Sequence, residues 1–179
     1  MPTFQENNLG RIFDALDTTA DGVLSADDVT AHAEHVASLV VPDAEAERRP
    51  DVVAAYQAWW RQIERDADTD HDGRVSRQDF VETTARGLRN DPDLLEEAYT
   101  PVARTVFEVL DRDHDGKIDQ AGYTGFFAAL GIGSEVAGAA FGKIDADGDG
   151  RIEYGDFRAA MQDLFTTSDP EAPGAAALG

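Results

Sequence analysis

Residues 145–156 contain five acidic side chains at a spacing that could bind a metal ion. Their sequence is D-A-D-G-D-G-R-I-E-Y-G-D, with Asp145, Asp147 and Asp149 at alternate positions. A tightly curled loop can aim these three carboxylates at one point, and Gly150 follows where the backbone must turn sharply. Such oxygen ligands are the chemistry by which a loop between two helices holds calcium. A polar turn with clustered aspartates would explain neither the two-residue spacing nor the glycine.

The later positions of this loop can complete the ligand shell. Arg151 would supply its backbone carbonyl oxygen from the seventh position, and Ile152 at the eighth would point into a core. Glu153 and Asp156 would close the shell from the ninth and twelfth positions. We therefore predict a calcium site whose ligands are Asp145, Asp147, Asp149, Arg151 and Asp156.

The same twelve-residue pattern occurs three more times, at 17–28, 68–79 and 111–122. The sixth position is always glycine and the eighth always aliphatic: Gly22, Gly73, Gly116 and Gly150, then Leu24, Val75, Ile118 and Ile152. Internal repetition of this kind determines the fold. The chain resembles the four-EF-hand calcium-binding proteins over about residues 4–165. The resemblance implies an all-α fold in which two pairs of helix-loop-helix hands pack into one compact body.

The spacing of the loops narrows the resemblance further. First ligands fall at 17, 68, 111 and 145, so the first pair has a long connector and the last pair is close-set. Calmodulin has more evenly spaced hands. The chain is more similar to the sarcoplasmic calcium-binding proteins and the calerythrins. We predict an N-terminal pair over 1–89, a C-terminal pair over 90–165 and a mobile tail over 166–179.

Ligand chemistry ranks the four loops. The second matches the fourth, with acids at positions one, three, five and twelve, so we predict metal in both. Its ligands would be Asp68, Asp70, Asp72, Arg74 through its carbonyl, and Asp79. The first loop has a neutral hydroxyl at position three and should bind more weakly. Its ligands would be Asp17, Thr19, Asp21, Val23 through its carbonyl, and Asp28.

The third loop lacks the closing ligand. Asp111, Asp113, Asp115 and Asp119 are well placed, but Gly122 supplies nothing at position twelve. That ligand comes from the exiting helix, so its loss should weaken binding. We predict that the third hand is mainly a structural partner for the fourth.

Position twelve also affects which metal is preferred. The usual residue in EF-hands is Glu, which reaches calcium with both oxygens, whereas Asp28, Asp79 and Asp156 are one methylene shorter. A shorter arm binds through one oxygen or draws the exiting helix inward. One-oxygen binding lowers the ligand number towards six, which magnesium prefers, so Mg²⁺ is expected to compete with Ca²⁺.

Apolar residues at helical spacing flank every loop and predict the helices that position it. They are Leu9, Ile12, Phe13 and Leu16; Val29, Ala33, Val36 and Val40; Val52, Tyr56, Trp59, Trp60 and Ile63; Phe80, Val81, Thr84 and Leu88; Val102, Val106, Val109 and Leu110; Tyr123, Phe126, Phe127 and Leu130; Ala137, Ala140, Phe141 and Ile144; and Phe157, Met161, Leu164 and Phe165. The two adjacent tryptophans are interpreted as core anchors rather than a ligand platform. We predict a polar connector over 42–50, a loop over 87–93 with Pro92 starting the next helix, and Ser134 as an N-cap.

No other constellation supports a second chemistry. His32 and His35 could meet one metal, but they lack further ligands, and we interpret them as solvated helix residues. His71 and His114 occupy the fourth loop position, which points outward. The sequence offers no Ser-His-Asp set, Gly-rich phosphate loop or Cys nucleophile, so we do not predict an enzyme.

The net charge of −21 limits the partners, since nearly half of the 36 acidic residues lie in the four loops. A chain this acidic would repel phosphate backbones and anionic lipids. We therefore expect neither nucleic acid nor a membrane surface as a partner. Cysteine is absent, which excludes disulfides and thiolate metal sites. The N-terminus has no secretory-signal pattern and no stretch could span a membrane. We expect a cytoplasmic monomer whose protein partner the sequence does not name.

Two functions share this fold. A buffer binds calcium by mass action, whereas a sensor opens and exposes an apolar groove to a partner. Sensors with many partners use Met-rich surfaces, and this chain has two methionines against nine Phe, four Tyr and two Trp. The composition favours a buffer or compact signal modulator, with a sensor as the alternative.

Overall fold

Helices enter and leave each of the four loops, and a short strand lies inside each loop. The structure, a computed structural model, describes residues 2–91, 93–129, 131–169 and 172. The α-helices are α1 Phe4–Leu16, α2 Ala26–Val40, α3 Arg49–Ala67, α4 Arg77–Asn90, α5 Leu94–Ala98, α6 Thr100–Leu110, α7 Gln120–Ala129, α8 Ser134–Ile144 and α9 Tyr154–Thr166. The strands are β1 Val23–Leu24, β2 Val75–Ser76, β3 Lys117–Asp119 and β4 Arg151–Glu153, and a 3₁₀ helix spans Asp43–Arg48 in the predicted polar connector. The predicted EF-hand fold class is confirmed.

The strands join the loops in pairs. β1 pairs antiparallel with β2, opposing Leu24 to Val75, and β3 pairs antiparallel with β4, opposing Ile118 to Ile152. These four residues occupy the eighth loop position, and each is at most 1% exposed. Burial of these side chains in the core stabilises the contact between the two loops of each pair. The prediction that the eighth position points into the core is confirmed.

The two pairs of hands share one core. Helices α1, α2 and α3 of the first pair pack on α9, α7 and α6 of the second, respectively. Trp59 of α3 lies with its ring centroid 5.0 Å from that of Tyr99 and 6.0 Å from that of Phe165. Trp59 and Trp60 are 6% and 4% exposed, so the interpretation of both as core residues is confirmed. Burial of these large rings joins the two pairs into a single body.

The predicted loop over 87–93 is largely wrong. Helix α4 continues through Gly87 to Asn90. A Cβ at residue 87 would lie 2.7 Å from Cδ2 of Leu94, so a glycine here allows α5 to approach closely. Close packing, and not a turn, therefore explains this glycine. Pro92 lies outside the described residues.

The predicted N-cap at Ser134 is also wrong. Ser134 is the first residue of α8, and Gly133 holds the N-cap position in an extended conformation. Gly131, with a φ of 78°, makes the turn before it. Leu130 of the predicted apolar set lies outside the described residues, as does most of the tail predicted over 166–179. None of the described helices is both long and apolar enough to cross a membrane.

Candidate metal centres

Each loop wraps around its first aspartate. Asp145 accepts hydrogen bonds from the backbone N–H groups of Gly150 at 2.9 Å and Gly148 at 3.0 Å. The sixth-position glycines all have a positive φ, between 78° and 83°, which glycine adopts at little cost: Gly22, Gly73, Gly116 and Gly150. Matching 2.9 Å bonds run from the sixth-position amide to the first carboxylate in the other three loops, at Asp17, Asp68 and Asp111. The carboxylate is therefore held in place by the loop backbone before any cation arrives.

Three of the loops bring their first three acids together. In each group, one carboxylate oxygen per residue lies within 4.8 Å of the others: Asp68, Asp70 and Asp72; Asp111, Asp113 and Asp115; Asp145, Asp147 and Asp149. Hard oxygen donors in one cluster suit calcium or magnesium. The first loop forms no such group within the described residues, because Thr19 stands at its third position. The third loop thus brings its first three carboxylates together as the second and fourth do.

The fifth-position carboxylate fixes the backbone at the seventh position, where a carbonyl oxygen is the predicted ligand. The N–H of Arg74 donates to Asp72 at 2.8 Å, and that of Arg151 donates to Asp149 at 2.8 Å. In the first loop the N–H of Val23 donates to Asp21 at 3.1 Å. The backbone that carries the predicted carbonyl ligands is thus held in the same way in these three loops.

The first loop satisfies its own carboxylates. Asp28 is 4% exposed and accepts hydrogen bonds from the hydroxyl of Ser25 at 2.5 Å and from the amide and hydroxyl of Thr19 at 3.2 and 3.0 Å. Burial raises the pKa of Asp28, but these hydrogen bonds outweigh it, so the pKa lies below its ordinary value. A cation entering this loop would compete with the existing bonds, which agrees with its ranking as a weaker site.

The other two position-twelve acids are less engaged. Asp79 accepts a 2.6 Å bond from the Ser76 hydroxyl, whereas the exposed side chain of Asp156 makes no hydrogen bond or ion pair with any described residue. Neither belongs to the carboxylate group of its own loop. The fourth loop has Glu153 where the first two have serine, which leaves Asp156 free of a capping bond.

We expect Asp156→Glu to raise the ratio of calcium to magnesium affinity at the fourth loop by about tenfold. One additional interaction with a charged group is worth about 1.5 kcal/mol, and calcium tolerates the seventh oxygen that magnesium rejects. Calorimetric titration with each metal measures the ratio. Asp51→Glu, an exposed change in α3, is the control and should leave it unchanged. An unchanged ratio in Asp156→Glu would mean that the shorter side chain already binds through both oxygens.

The third loop uses its ninth residue as a cap. The Asp119 carboxylate accepts the N–H of Gly122 at 2.7 Å at the start of α7. A Cβ at residue 122 would lie 3.4 Å from that carboxylate oxygen and 3.6 Å from the carbonyl oxygen of Leu110, both ordinary contacts. The third loop therefore lacks a twelfth ligand because glycine has no side chain, and not because the backbone leaves no room for one. Weak binding by this loop stays a prediction.

Basic side chains connect the third and fourth loops. The ammonium of Lys117 lies 3.0 Å from Asp149 and 3.8 Å from Glu153, and the guanidinium of Arg151 lies 3.6 Å from Asp113. Hydrogen bonding to Lys117 lowers the pKa of Asp149 below its ordinary value. The loop pattern predicted a role for the carbonyl of Arg151 alone and none for the side chain of Lys117. A signal existed, namely a basic residue at the seventh position of both loops.

His32 is not the solvated residue that was predicted. It is 7% exposed, with its ring centroid 5.4 Å from that of Tyr56. Burial lowers its pKa below the ordinary histidine value, although a hydrogen bond with the backbone of Ala15 opposes the shift. His32 lies one helical turn from both Val29 and Val36, so it shares the buried face of α2. His35 is exposed as predicted, and so are His71 and His114.

Four helix-flanked loops, paired through short strands and turned by a sixth-position glycine, define a four-EF-hand calcium-binding protein. A family model described as an EF-hand domain pair matches residues 6–84 and 101–162, so the chain belongs to the EF-hand family. Calerythrin of Saccharopolyspora erythraea is 23% identical over 159 residues, which cover 88% of this chain and 90% of calerythrin. The predicted resemblance to calerythrin is thus confirmed, and calcium is the ion that this protein binds.

Solved structures of other calcium-binding proteins are similar to this one. A calcium-binding protein of Streptomyces coelicolor, studied for prokaryotic calcium-mediated regulation, superposes with a TM-score of 0.77 at 26% identity, covering 90% of this chain and 98% of that one. A sarcoplasmic calcium-binding protein from amphioxus superposes with a TM-score of 0.75 at 18% identity, covering 100% and 98%. The second similarity establishes the shared fold.

Proposed function

We propose that this EF-hand protein is an intracellular calcium buffer or signal modulator whose tight sites are the second and fourth loops. The ligands would be the residues predicted above: Asp68, Asp70, Asp72, Arg74 and Asp79, then Asp145, Asp147, Asp149, Arg151 and Asp156. The first loop would add a weaker site through Asp17, Thr19, Asp21, Val23 and Asp28. Convergence of three carboxylates in loops two and four supports this assignment.

The burial of the apolar side chains favours a buffer over a sensor. Among the described residues, Leu39 is the one large hydrophobic side chain that is exposed, at 55%. Met161 is 1% exposed, so no adaptable methionine surface faces solvent in the described part of the chain. A protein whose apolar residues already fill one core gains little by opening when calcium binds.

Several coarser features accompany this proposal. The protein would work in the cytoplasm as a monomer without enzymatic activity, through an N-terminal pair over 1–89 and a C-terminal pair over 90–165. Its net charge of −21 argues against nucleic acid and anionic membrane as partners. Magnesium would compete for the sites because position twelve carries the shorter acid.

A calcium sensor is the second candidate. The Streptomyces coelicolor relative is described in terms of calcium-mediated regulation. A cavity of about 500 Å³ between α3, α4 and α5 also favours this function, because Trp59, Ile63 and Phe80 line it and a partner side chain could enter there.

Calcium should stabilise the protein strongly while exposing little new apolar surface. At free calcium of about 100 times Kd, each site adds about 2.7 kcal/mol, so two sites should raise the Tm by about 10–20 °C. Thermal melts with chelator and with calcium measure the shift, and an apolar fluorescent dye reports exposed surface in the same samples. Magnesium at matched ionic strength is the control. A several-fold, calcium-specific rise in dye fluorescence would contradict the buffer and favour the sensor.

A further inference from the structure

The third and fourth loops exchange basic side chains. Lys117, at position seven of the third loop, contacts Asp149 and Glu153 of the fourth, and Arg151, at position seven of the fourth, contacts Asp115 and Asp113 of the third. The antiparallel register of β3 and β4 produces this exchange, since it pairs Lys117 with Glu153 and Asp119 with Arg151. Each cation therefore reaches carboxylates of the loop to which it does not belong.

These contacts use oxygens that a metal ion would need. Asp113 and Asp115 belong to the converging carboxylate group of the third loop, and Asp149 belongs to that of the fourth. A guanidinium never loses its proton in proteins, so Arg151 remains a cation at every working pH. Calcium entering either loop must displace the basic group or share its carboxylates with it.

The N-terminal pair provides an internal comparison. Its position-seven residues are Val23, which has no charge, and Arg74, which is exposed and forms no ion pair with a described residue. The second loop thus has the same carboxylate cluster as the third and fourth without a cation from its partner loop. Crossed ion pairs are a property of the C-terminal pair.

We infer that Arg151 and Lys117 are tethered counter-ions that compete with calcium, Arg151 for the ligands of the third loop and Lys117 for those of the fourth. This inference rests on the proposed function, because it takes the fourth loop as a calcium site. Arg151 neutralises the third loop, which lacks a twelfth ligand, and so supports the pairing of the two hands without metal. Lys117 sets the calcium affinity of the fourth loop below the value that its carboxylates alone would give.

Arg151→Gln should raise the calcium affinity of the third loop, and Lys117→Gln that of the fourth, by about threefold to fivefold at low salt, the range expected for displacing an exposed ion pair. The readout is a calcium titration followed by ¹H–¹⁵N NMR of Gly73, Gly116 and Gly150. Each of these amides bonds to the first aspartate of its own loop at 2.9 Å, so its resonance reports occupancy of that loop. The gain should shrink in 0.5 M KCl, because salt screens exposed charges.

Arg112→Gln is the matched control, since it removes the same charge from an exposed position of the third loop that supplies no ligand and forms no ion pair with a described residue. At the same low salt it should change the affinities of the third and fourth loops by less than about twofold. The charge-preserving variants Arg151→Lys and Lys117→Arg should keep the original affinities, and metal-free spectra establish that each variant is folded.

Two results would overturn the inference while leaving the proposed function intact. One is unchanged affinity of the third loop in Arg151→Gln and of the fourth in Lys117→Gln, and the other is an equal gain in Arg112→Gln, which would show a general charge effect. If calcium fails to shift Gly73 and Gly150 in the unmodified protein, the proposed function itself is wrong.

Discussion

Asp145→Ala is expected to abolish tight calcium binding in the fourth loop and to destabilise the metal-free protein. Asp145 is the first ligand and one of the three converging carboxylates, and loss of a direct ligand should lower affinity by at least about 100-fold. The same side chain accepts two backbone N–H groups, from Gly148 and Gly150. These hydrogen bonds are exposed, so water can replace the lost acceptor, and their loss should cost about 1 kcal/mol in the free energy of unfolding. Calorimetry counts the tight calcium ions, and denaturant melts in chelator measure the stability.

Asp111→Ala is the control for this experiment. Asp111 holds the same position in the third loop and accepts the N–H groups of Gly116 at 2.9 Å and Asp115 at 3.1 Å. Its removal should destabilise the metal-free protein at least as much, because the loop backbone again loses two hydrogen bonds and Asp111 is the more buried acceptor. The number of tight calcium ions should not change, since the third loop lacks its twelfth ligand. Loss of a tight ion in Asp111→Ala would show that the ranking of the loops is wrong.

The local features of each loop were predictable because they depend on residues close together in the chain. A glycine at position six is needed wherever the backbone turns with positive φ, and an apolar residue at position eight must be buried. Gly150 and Ile152 show both rules, with a φ of 79° and 1% exposure. The convergence of alternate aspartates follows from the same turn.

The features that the sequence did not predict depend on elements distant in the chain. Which carboxylate Lys117 reaches is decided by the register of β3 against β4, and that register is a tertiary property. A glycine such as Gly87 often indicates a turn, yet Gly87 lies inside α4. A glycine is needed there because Leu94 of α5 packs closely against it. His32 has a polar side chain, but the helical face that it shares with Val36 is buried. Local sequence patterns therefore predicted the structure of each loop better than they predicted the contacts between loops and helices.

Trp59→Ala is expected to lower the free energy of unfolding by about 3–5 kcal/mol, the usual cost of removing a large buried aromatic side chain. Trp59 belongs to the N-terminal pair, whereas Tyr99 and Phe165, whose rings lie 5.0 and 6.0 Å away, belong to the C-terminal pair. Tyr99 and Phe165 also contact each other, with centroids 4.6 Å apart. Removing the indole thus weakens the contact that joins the two pairs of hands.

Unfolding of Trp59→Ala should therefore lose cooperativity as well as stability. Guanidinium titrations in chelator, followed by circular dichroism, should show a shallower or divided transition, because each pair can then unfold by itself. Trp60→Ala is the matched control, since Trp60 is the adjacent tryptophan, is 4% exposed and stacks on no aromatic ring among the described residues. It should lose comparable stability while keeping a single transition of normal slope. A single, equally steep transition in Trp59→Ala would mean that the aromatic contact is not what unites the two pairs, and that α2 against α7 carries the coupling instead.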